Sequence, residues 1–192
     1  MTAEWDASGL EIKSERLRLK LFTADDAADV FAAITPAITR FMQWEPPRSP
    51  TAFEEIWRSW LAPILDGSDL HFVVRSLTDG RCLGLVGLHA ARTACPENGI
   101  CLREDVHGNG IGREAVAAMA AWASEEFNPD LLRVSSRRRK RGEQKDRGRP
   151  WWINSRDTLE FEIYLGRLPH SQYPALTRED REILAPHSRR HA

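Results

Sequence analysis

Residues 96–122 read PENGICLREDVHGNGIGREAVAAMAAW, and this stretch decides the fold. A short apolar run, Ile100 to Leu102, predicts a strand. Glycines then occupy positions 108, 110 and 112, and the apolar residues after them recur at helical spacing. Glycine allows the backbone to adopt a positive φ, and the first amides of a helix point outward at the positive end of its dipole. The stretch therefore predicts a strand, a turn that can bind an anion such as phosphate, and a helix.

Two common phosphate-binding motifs do not match this turn. A P-loop ends in Gly-Lys-Ser or Gly-Lys-Thr, but Arg113 and Glu114 follow Gly112. A dinucleotide-binding fingerprint needs glycines spaced G-x-G-x-x-G, whereas these are spaced G-x-G-x-G, and the chain after the helix lacks a βαβ pattern. A glycine-rich turn that binds nothing stays open as the alternative.

The turn resembles the acetyl-CoA loop of the GNAT acetyltransferases, which usually reads Arg/Gln-x-x-Gly-x-Gly/Ala. Residues 107–112 match it as His-Gly-Asn-Gly-Ile-Gly, with His in the first place. This variant, and the opening ERLRLKLFTADDAADVF at residues 15–31, resemble the branch that acetylates the N-termini of ribosomal proteins (RimJ/RimL-like). The resemblance implies acetyl-CoA as the cofactor and the GNAT fold. That fold is of the α/β (α+β) class and has a mixed, mostly antiparallel central sheet flanked by helices.

The remaining hydrophobic patterns fit this order of elements. Alternating leucines predict an opening strand, and Thr23 is the predicted cap of the first helix. The aromatic residues of the long third helix, Phe53, Trp57 and Trp60, are predicted to pack in the core. The predicted elements are an opening strand (Leu10–Phe22), helices (from Thr23, Pro36–Phe41 and Thr51–Leu65), a hairpin (His71–Arg75 and Leu83–Leu88, turning at Thr78–Gly80), and strands at Leu131–Val134 and Thr158–Tyr164.

Composition limits the functional classes. The 192 residues fit one domain, predicted at 1–170, followed by a polar and partly helical tail at 171–192. Long apolar runs and a secretory signal are both missing, so we expect no membrane partner. The three cysteines have no metal-ligand spacing and leave one unpaired in any disulfide scheme. The sequence therefore predicts a cytoplasmic protein without a metal.

A basic run interrupts the family pattern after the fifth strand. Residues 135–150 read SSRRRKRGEQKDRGRP, with eight basic and two acidic residues, which gives +6 in a chain of net charge −1. The family instead has a helix containing Asn-x-x-Ser there, so the C-terminal part of the fold is predicted to be disrupted. Nucleic-acid or other polyanion binding through 137–149 is one interpretation, although the tryptophans lie only at one end. A solvated, disordered loop is another.

A third hypothesis is that residues 135–152 are translated out of frame. Read one base later from Val134, the codons of Trp151 to Ile153 can give only Gly-Gly, and those of Glu143 and Gln144 only Asn or Ser. With synonymous codons chosen freely elsewhere, the segment reads YPVAEENAASRKIAEGLGG, which resembles the family after its fifth strand. A return to frame near 153–155 would restore the final strand. The coding DNA tests this hypothesis.

The resemblance also assigns candidate site residues. An attacking amine must lose its proton, because a lysine amine titrates near about 10.4 and an α-amino group near about 8. Glu97, at the entry of the cofactor strand, is the first candidate for the general base, and His89, at the exit of the preceding strand, is the second. Trp44 and Glu45 lie in the loop expected to shape the acceptor pocket. A surface Glu, a locally hydrogen-bonded His and a loop with one packed Trp are the alternatives.

The cofactor itself is expected to lie along the strand and the turn. Backbone amides around Leu102, Arg103 and Glu104 are predicted to polarise the thioester carbonyl. The turn residues predicted to hold the diphosphate are His107, Gly108, Asn109, Gly110, Ile111, Gly112 and Arg113.

The leading hypothesis is an N-acetyltransferase that transfers acetyl directly from acetyl-CoA to a primary amine, either a protein N-terminus or a small amine. We expect a monomer or homodimer. A catalytically impaired GNAT-fold remnant, which binds CoA weakly or not at all, is the main alternative, because the Asn-x-x-Ser helix is missing. Nucleic-acid binding is the less favoured one.

Overall fold

The computed structural model describes residues 5–39, 46–137 and 158–164. They form one seven-stranded sheet whose strand order in space is the order in the chain. The strands are β1 (Glu11–Lys13), β2 (Leu17–Leu21), β3 (Leu70–Ser76), β4 (Cys82–His89), β5 (Glu97–Leu102), β6 (Leu131–Arg137) and β7 (Thr158–Tyr164). The helices of this described part are α1 (Ala27–Ala33), α2 (Pro36–Thr39), α3 (Pro50–Asp66) and α4 (Ile111–Glu126).

The sheet is mixed but mostly antiparallel, as predicted. All neighbouring strands are antiparallel except β5 and β6, which run parallel and are connected through α4. A parallel pair needs such a crossover, because the chain must return to the same end of the sheet. The predicted hairpin joins β3 to β4, and Gly80 in its turn has a φ of 71°.

The opening segment is not the single strand that we predicted over Leu10–Phe22. The chain reverses between β1 and β2, where the amide of Ser14 donates to the carbonyl of Leu17 at 3.0 Å. Glu114 of α4 stabilises this reversal, because its Oε1 accepts from the Ser14 hydroxyl and from the Arg16 amide, both at 2.7 Å. The residue responsible lies 98 positions beyond Arg16, so the local alternation of leucines could not reveal the turn.

The ends of the helices follow from their capping residues. Thr23 caps a short 3₁₀ turn, Ala24–Asp26, that leads into α1. For α3, Ser49 Oγ accepts from the Ala52 amide at 3.1 Å, and Gly67 ends the helix with a φ of 74°.

Helices cover both faces of the sheet. From α3, Phe53, Trp57 and Ile64 are buried and Trp60 is partly buried against the core, so the predicted packing of the aromatics is confirmed, whereas Ile56 is 37% exposed. On the other face, α4 buries Val116, Met119 and Ala120 among other residues, and Trp122 packs edge-on against Phe72 of β3 with ring centroids 5.3 Å apart. Between these two layers of helices, β5 and β6 pair at two positions and then separate.

None of the helices within these described ranges is long and apolar enough to cross a membrane. Several predictions fall outside the described residues: the acceptor-loop residues Trp44 and Glu45, residues 138–152 of the atypical segment, and the tail at 171–192. The domain boundaries at 170 and 171 stay a prediction.

Candidate active site

The glycine turn lies between β5 and α4, where the sequence predicted it. After β5, residues Glu104–Val106 form a 3₁₀ turn. Gly108 and Gly110 both have a φ of 77°, a conformation that glycine adopts without the penalty that a Cβ brings. Gly110 is the N-cap of α4, so the turn ends where the helix begins.

The backbone amides of this turn are available to a ligand. Those of Val106 and His107 donate to carbonyls within the 3₁₀ turn, and that of Glu114 donates to the Gly110 carbonyl at 3.0 Å. Between them, the amides of residues 108–113 donate to no acceptor in the described part of the chain. Together with the helix dipole, these amides make a site suited to a diphosphate.

Two side chains, those of His107 and Arg16, fix the shape of the turn. The His107 ring donates from Nε2 to the Leu102 carbonyl at 2.9 Å, because a carbonyl can only accept. From the β1–β2 turn, the Arg16 guanidinium donates from Nη1 to the Asn109 carbonyl at 3.0 Å and from Nε to Glu114 Oε2 at 2.6 Å. Burial raises the pKa of Glu114, but hydrogen bonds from Ser14 and Arg16 lower it by more, so Glu114 stays ionised. The sequence analysis did not predict these contacts of Arg16 with Asn109 and Glu114.

The outer edge of β5 separates from β6 next to the turn. The two strands are paired only at Glu97 with Arg133 and at Asn98 with Val134. On the inner edge, the Arg103 amide donates to the Leu83 carbonyl at 2.9 Å and is therefore engaged. Because amides in an antiparallel pair alternate in direction, those of Ile100 and Leu102 point away from β4, towards the opening.

The two candidate bases face each other across β4 and β5. His89 and Glu97 are directly paired in register at the end of the two strands. The His89 ring folds back over the sheet, and its Nδ1 lies 2.8 Å from Asp69 Oδ1. The structure thus brings both residues predicted from the sequence to one end of the cofactor strand.

Asp69 and His71 complete a cluster that sequence reasoning missed. Asp69 Oδ1 also lies 3.2 Å from Nε2 of His71, whose ring stacks on Trp60 with centroids 4.2 Å apart. Burial raises the pKa of Asp69, but hydrogen bonds from His71 and His89 lower the pKa by more, so the carboxylate is ionised. Burial lowers the pKa of His71, which is therefore neutral near pH 7. The one feature of the sequence that could have indicated this cluster is that Asp69, His71 and His89 lie near the ends of predicted apolar strands.

The same cluster is the one group within the described ranges that could hold a metal ion. One ligand atom from each of Asp69, His71 and His89 lies within 4.8 Å of the others. Hydrogen bonds to Asp69 already engage both rings. The absence of a metal stays a prediction.

Comparison with known proteins identifies the family. A family model described as an acetyltransferase (GNAT) domain matches residues 16–145. No curated protein matches the chain. Among solved structures, the ribosomal-protein-S5-alanine acetyltransferase from Vibrio fischeri is 19% identical, with a TM-score of 0.55 over 66% of this chain and 73% of that one.

Two further solved structures have the same fold. The spermidine N-acetyltransferase from Vibrio cholerae, solved with CoA and spermine, is 19% identical, with a TM-score of 0.54 over 64% of this chain and 72% of that one. A GNAT-family acetyltransferase from Bacillus anthracis is 15% identical, with a TM-score of 0.55 over 67% of this chain and 74% of that one. The family match covers more than half of the chain and includes the glycine turn, so this protein belongs to the GNAT acetyltransferases, a family of acyltransferase enzymes.

Proposed function

We propose that the protein transfers an acetyl group from acetyl-CoA to a primary amine, either a protein N-terminus or a small amine. The observation that carries the proposal is the set of amides over 108–113, at the start of α4, that donate to no acceptor among the residues that the structure describes. The family match and the CoA-bound relative support acetyl-CoA as the donor. The three cysteines form no disulfide with one another, which supports a reducing compartment such as the cytoplasm.

Each part of the site has a role in this proposal. Acetyl-CoA would supply a thioester that the amine attacks directly. The amides of 108–113 bind its diphosphate, and the outward amides of Ile100 and Leu102 donate to the carbonyl oxygen that gains charge. These two replace Arg103 in the role, because the Arg103 amide is bound to Leu83. Glu97 or His89 takes the proton from the amine.

Two measurements test the proposal. Calorimetry with acetyl-CoA, and with a CoA analogue that lacks the diphosphate, is expected to show binding only of the former. Release of free thiol is then measured with spermidine and with peptides bearing free N-termini, chosen because two of the similar structures are a spermidine N-acetyltransferase and a ribosomal-protein-S5-alanine acetyltransferase. Acetyl-CoA binding without thiol release from any amine would favour the impaired remnant, and no binding at all would contradict the proposal.

The remnant is kept as a second candidate because of one feature of the sequence. The basic residues from 137 onward replace the expected Asn-x-x-Ser helix, whose polar groups contact the pantetheine arm in this family. The turn at 108–113 does not depend on those groups, because its donors are backbone amides. Diphosphate binding would therefore persist while the sulfur end of the cofactor lost contacts.

A further inference from the structure

The His89 ring lies in a space made by two glycines. A Cβ on Gly87 would lie 2.8 Å from His89 Nε2, and one on Gly99 would lie 3.3 Å from the same atom. The two glycines are directly paired across β4 and β5. Gly99 is also the first residue of β5 beyond Asn98, the last that pairs with β6. Nε2 is therefore positioned above the point where the two strands separate.

The contact with Asp69 fixes which nitrogen of His89 carries the proton. Asp69 Oδ1 lies 2.8 Å from Nδ1, and an ionised carboxylate can only accept, so Nδ1–H donates and Nε2 keeps the lone pair. His71, buried against Trp60, donates to the same oxygen and so holds the carboxylate from its other side. Neither ring can turn without breaking a bond to Asp69.

We propose that Asp69 is a positioning residue that makes His89, rather than Glu97, the general base of the acetyl transfer. The proposal rests on the proposed function. The His89 Nε2 atom takes a proton from the amine as the new N–C bond forms and the C–S bond breaks. The departing sulfur takes up a proton, so the products are an amide and a free thiol. The carboxylate of Asp69 stabilises the imidazolium that forms.

Three titratable groups face His89. Asp69 faces it from the loop before β3, His71 from β3, and Glu97 from the paired position on β5. His71 is neutral near pH 7, so the nearest permanent charge is the Asp69 carboxylate. That carboxylate lies against the ring nitrogen that donates to it, so it would stabilise the imidazolium formed on His89 during transfer, and its loss should lower kcat.

The test compares four variants of the full chain: His89→Gln, Asp69→Asn, Glu97→Gln and, as a matched control, Asp79→Asn in the exposed β3–β4 turn. We expect His89→Gln to lower kcat by about 10²–10⁴-fold, the usual contribution of a general base. Asp69→Asn should lower kcat by about 10–100-fold. Asp79→Asn should leave kcat unchanged, and acetyl-CoA affinity should be unaffected in His89→Gln.

Imidazole nitrogen NMR gives a readout that does not need activity. His89 should be the Nδ1–H tautomer in the native protein and should lose that preference in Asp69→Asn. A Nε2–H tautomer in an active enzyme, an unchanged kcat in Asp69→Asn, or a larger loss of kcat in Glu97→Gln than in His89→Gln would overturn the inference alone. A native protein that binds acetyl-CoA but acetylates no amine would overturn the proposed function, and the role of the pair with it.

Discussion

Asn98 is a buried amide whose polar atoms have no partner among the described residues. The residue is 0% exposed, and neither Nδ2 nor Oδ1 makes a hydrogen bond there. It lies on the face of β5 that also carries Ile100 and Leu102, whose side chains approach α4 at Gly112. A buried amide without partners keeps the cost of desolvation without the compensating bonds, so this position reduces stability.

We expect Asn98→Leu to raise the free energy of unfolding by about 1–2 kcal/mol, because an apolar group of similar size removes that cost. Urea denaturation followed by circular dichroism measures the change. Asn98→Asp is the matched comparison and should destabilise, since a carboxylate there would be a buried, unpaired charge. A loss of stability in Asn98→Leu would contradict the prediction.

His71 makes stability depend on pH. Burial lowers its pKa in the folded protein, so the unfolded chain binds a proton first as the pH falls. The contribution of neutral His71 is therefore complete above about pH 6.5, the ordinary pKa of histidine, and is lost progressively below it. The lowered pKa of Asp69 acts in the same direction at more acidic pH, where its carboxylate is protonated more easily in the unfolded chain.

Urea midpoints should accordingly fall between pH 7 and pH 5 in the native protein, and by less in His71→Gln. Measuring both variants at the two pH values removes the intrinsic cost of the substitution from the comparison. Equal falls in the two proteins would show that His71 does not carry the effect.

Among the elements, the β1–β2 turn supports the anion site through α4. Glu114 binds Ser14 and Arg16, and Arg16 in turn binds the carbonyl of Asn109. We expect Glu114→Gln to weaken acetyl-CoA binding by about three- to tenfold, as loss of roughly 1 kcal/mol of charged hydrogen bonding implies, with a smaller effect on kcat. Glu126→Gln, at the exposed far end of the same helix, is the control. If calorimetry gave the two variants equal affinities for acetyl-CoA, the β1–β2 turn would not support the anion site.

The glycine turn allows a comparison between two similar backbone positions. Gly108 has a φ of 77° and Gly80 a φ of 71°, and a Cβ on either would meet nothing within 4 Å. Alanine at either site should therefore reduce stability by about 1 kcal/mol through the same backbone penalty. Only Gly108→Ala should also weaken acetyl-CoA binding, because only that strain reorients amides of the site. If both variants bound acetyl-CoA equally well, the turn would not be the diphosphate site.

How far the sequence predicts each element depends on how local its cause is. Gly108 and Gly110, Ser49 and Gly67 act on their own turns, and the elements they delimit were predicted within a few residues. The β1–β2 reversal depends on Glu114, and the cluster around His89 depends on Asp69 from a different strand connection. Such contacts arise only when the sheet places distant residues side by side, and no periodicity in one segment records them.

At the scale of the whole molecule, the sequence hypothesis of an altered frame has a direct test. Replacing residues 134–152 by YPVAEENAASRKIAEGLGG should tighten acetyl-CoA binding and raise the melting temperature, because it restores a helix with an apolar face and the Asn-x-x-Ser groups. Replacement by a scrambled form of that sequence is the control. Improvement by both sequences alike, or codons that cannot give Asn and Ser in the shifted frame, would refute the hypothesis.

The sequential strand order has a consequence for synthesis. Each strand neighbours the one made just before it, so the neighbours of β2 to β5 are already synthesised when each strand is made, and the β1–β2 reversal gains its contacts with Glu114 later, when α4 forms. The Asp69–His89 pair lies between β1 and β5, and the diphosphate turn follows β5. A coding change after residue 134 would therefore alter none of the residues in these two sites, and the altered protein would retain both.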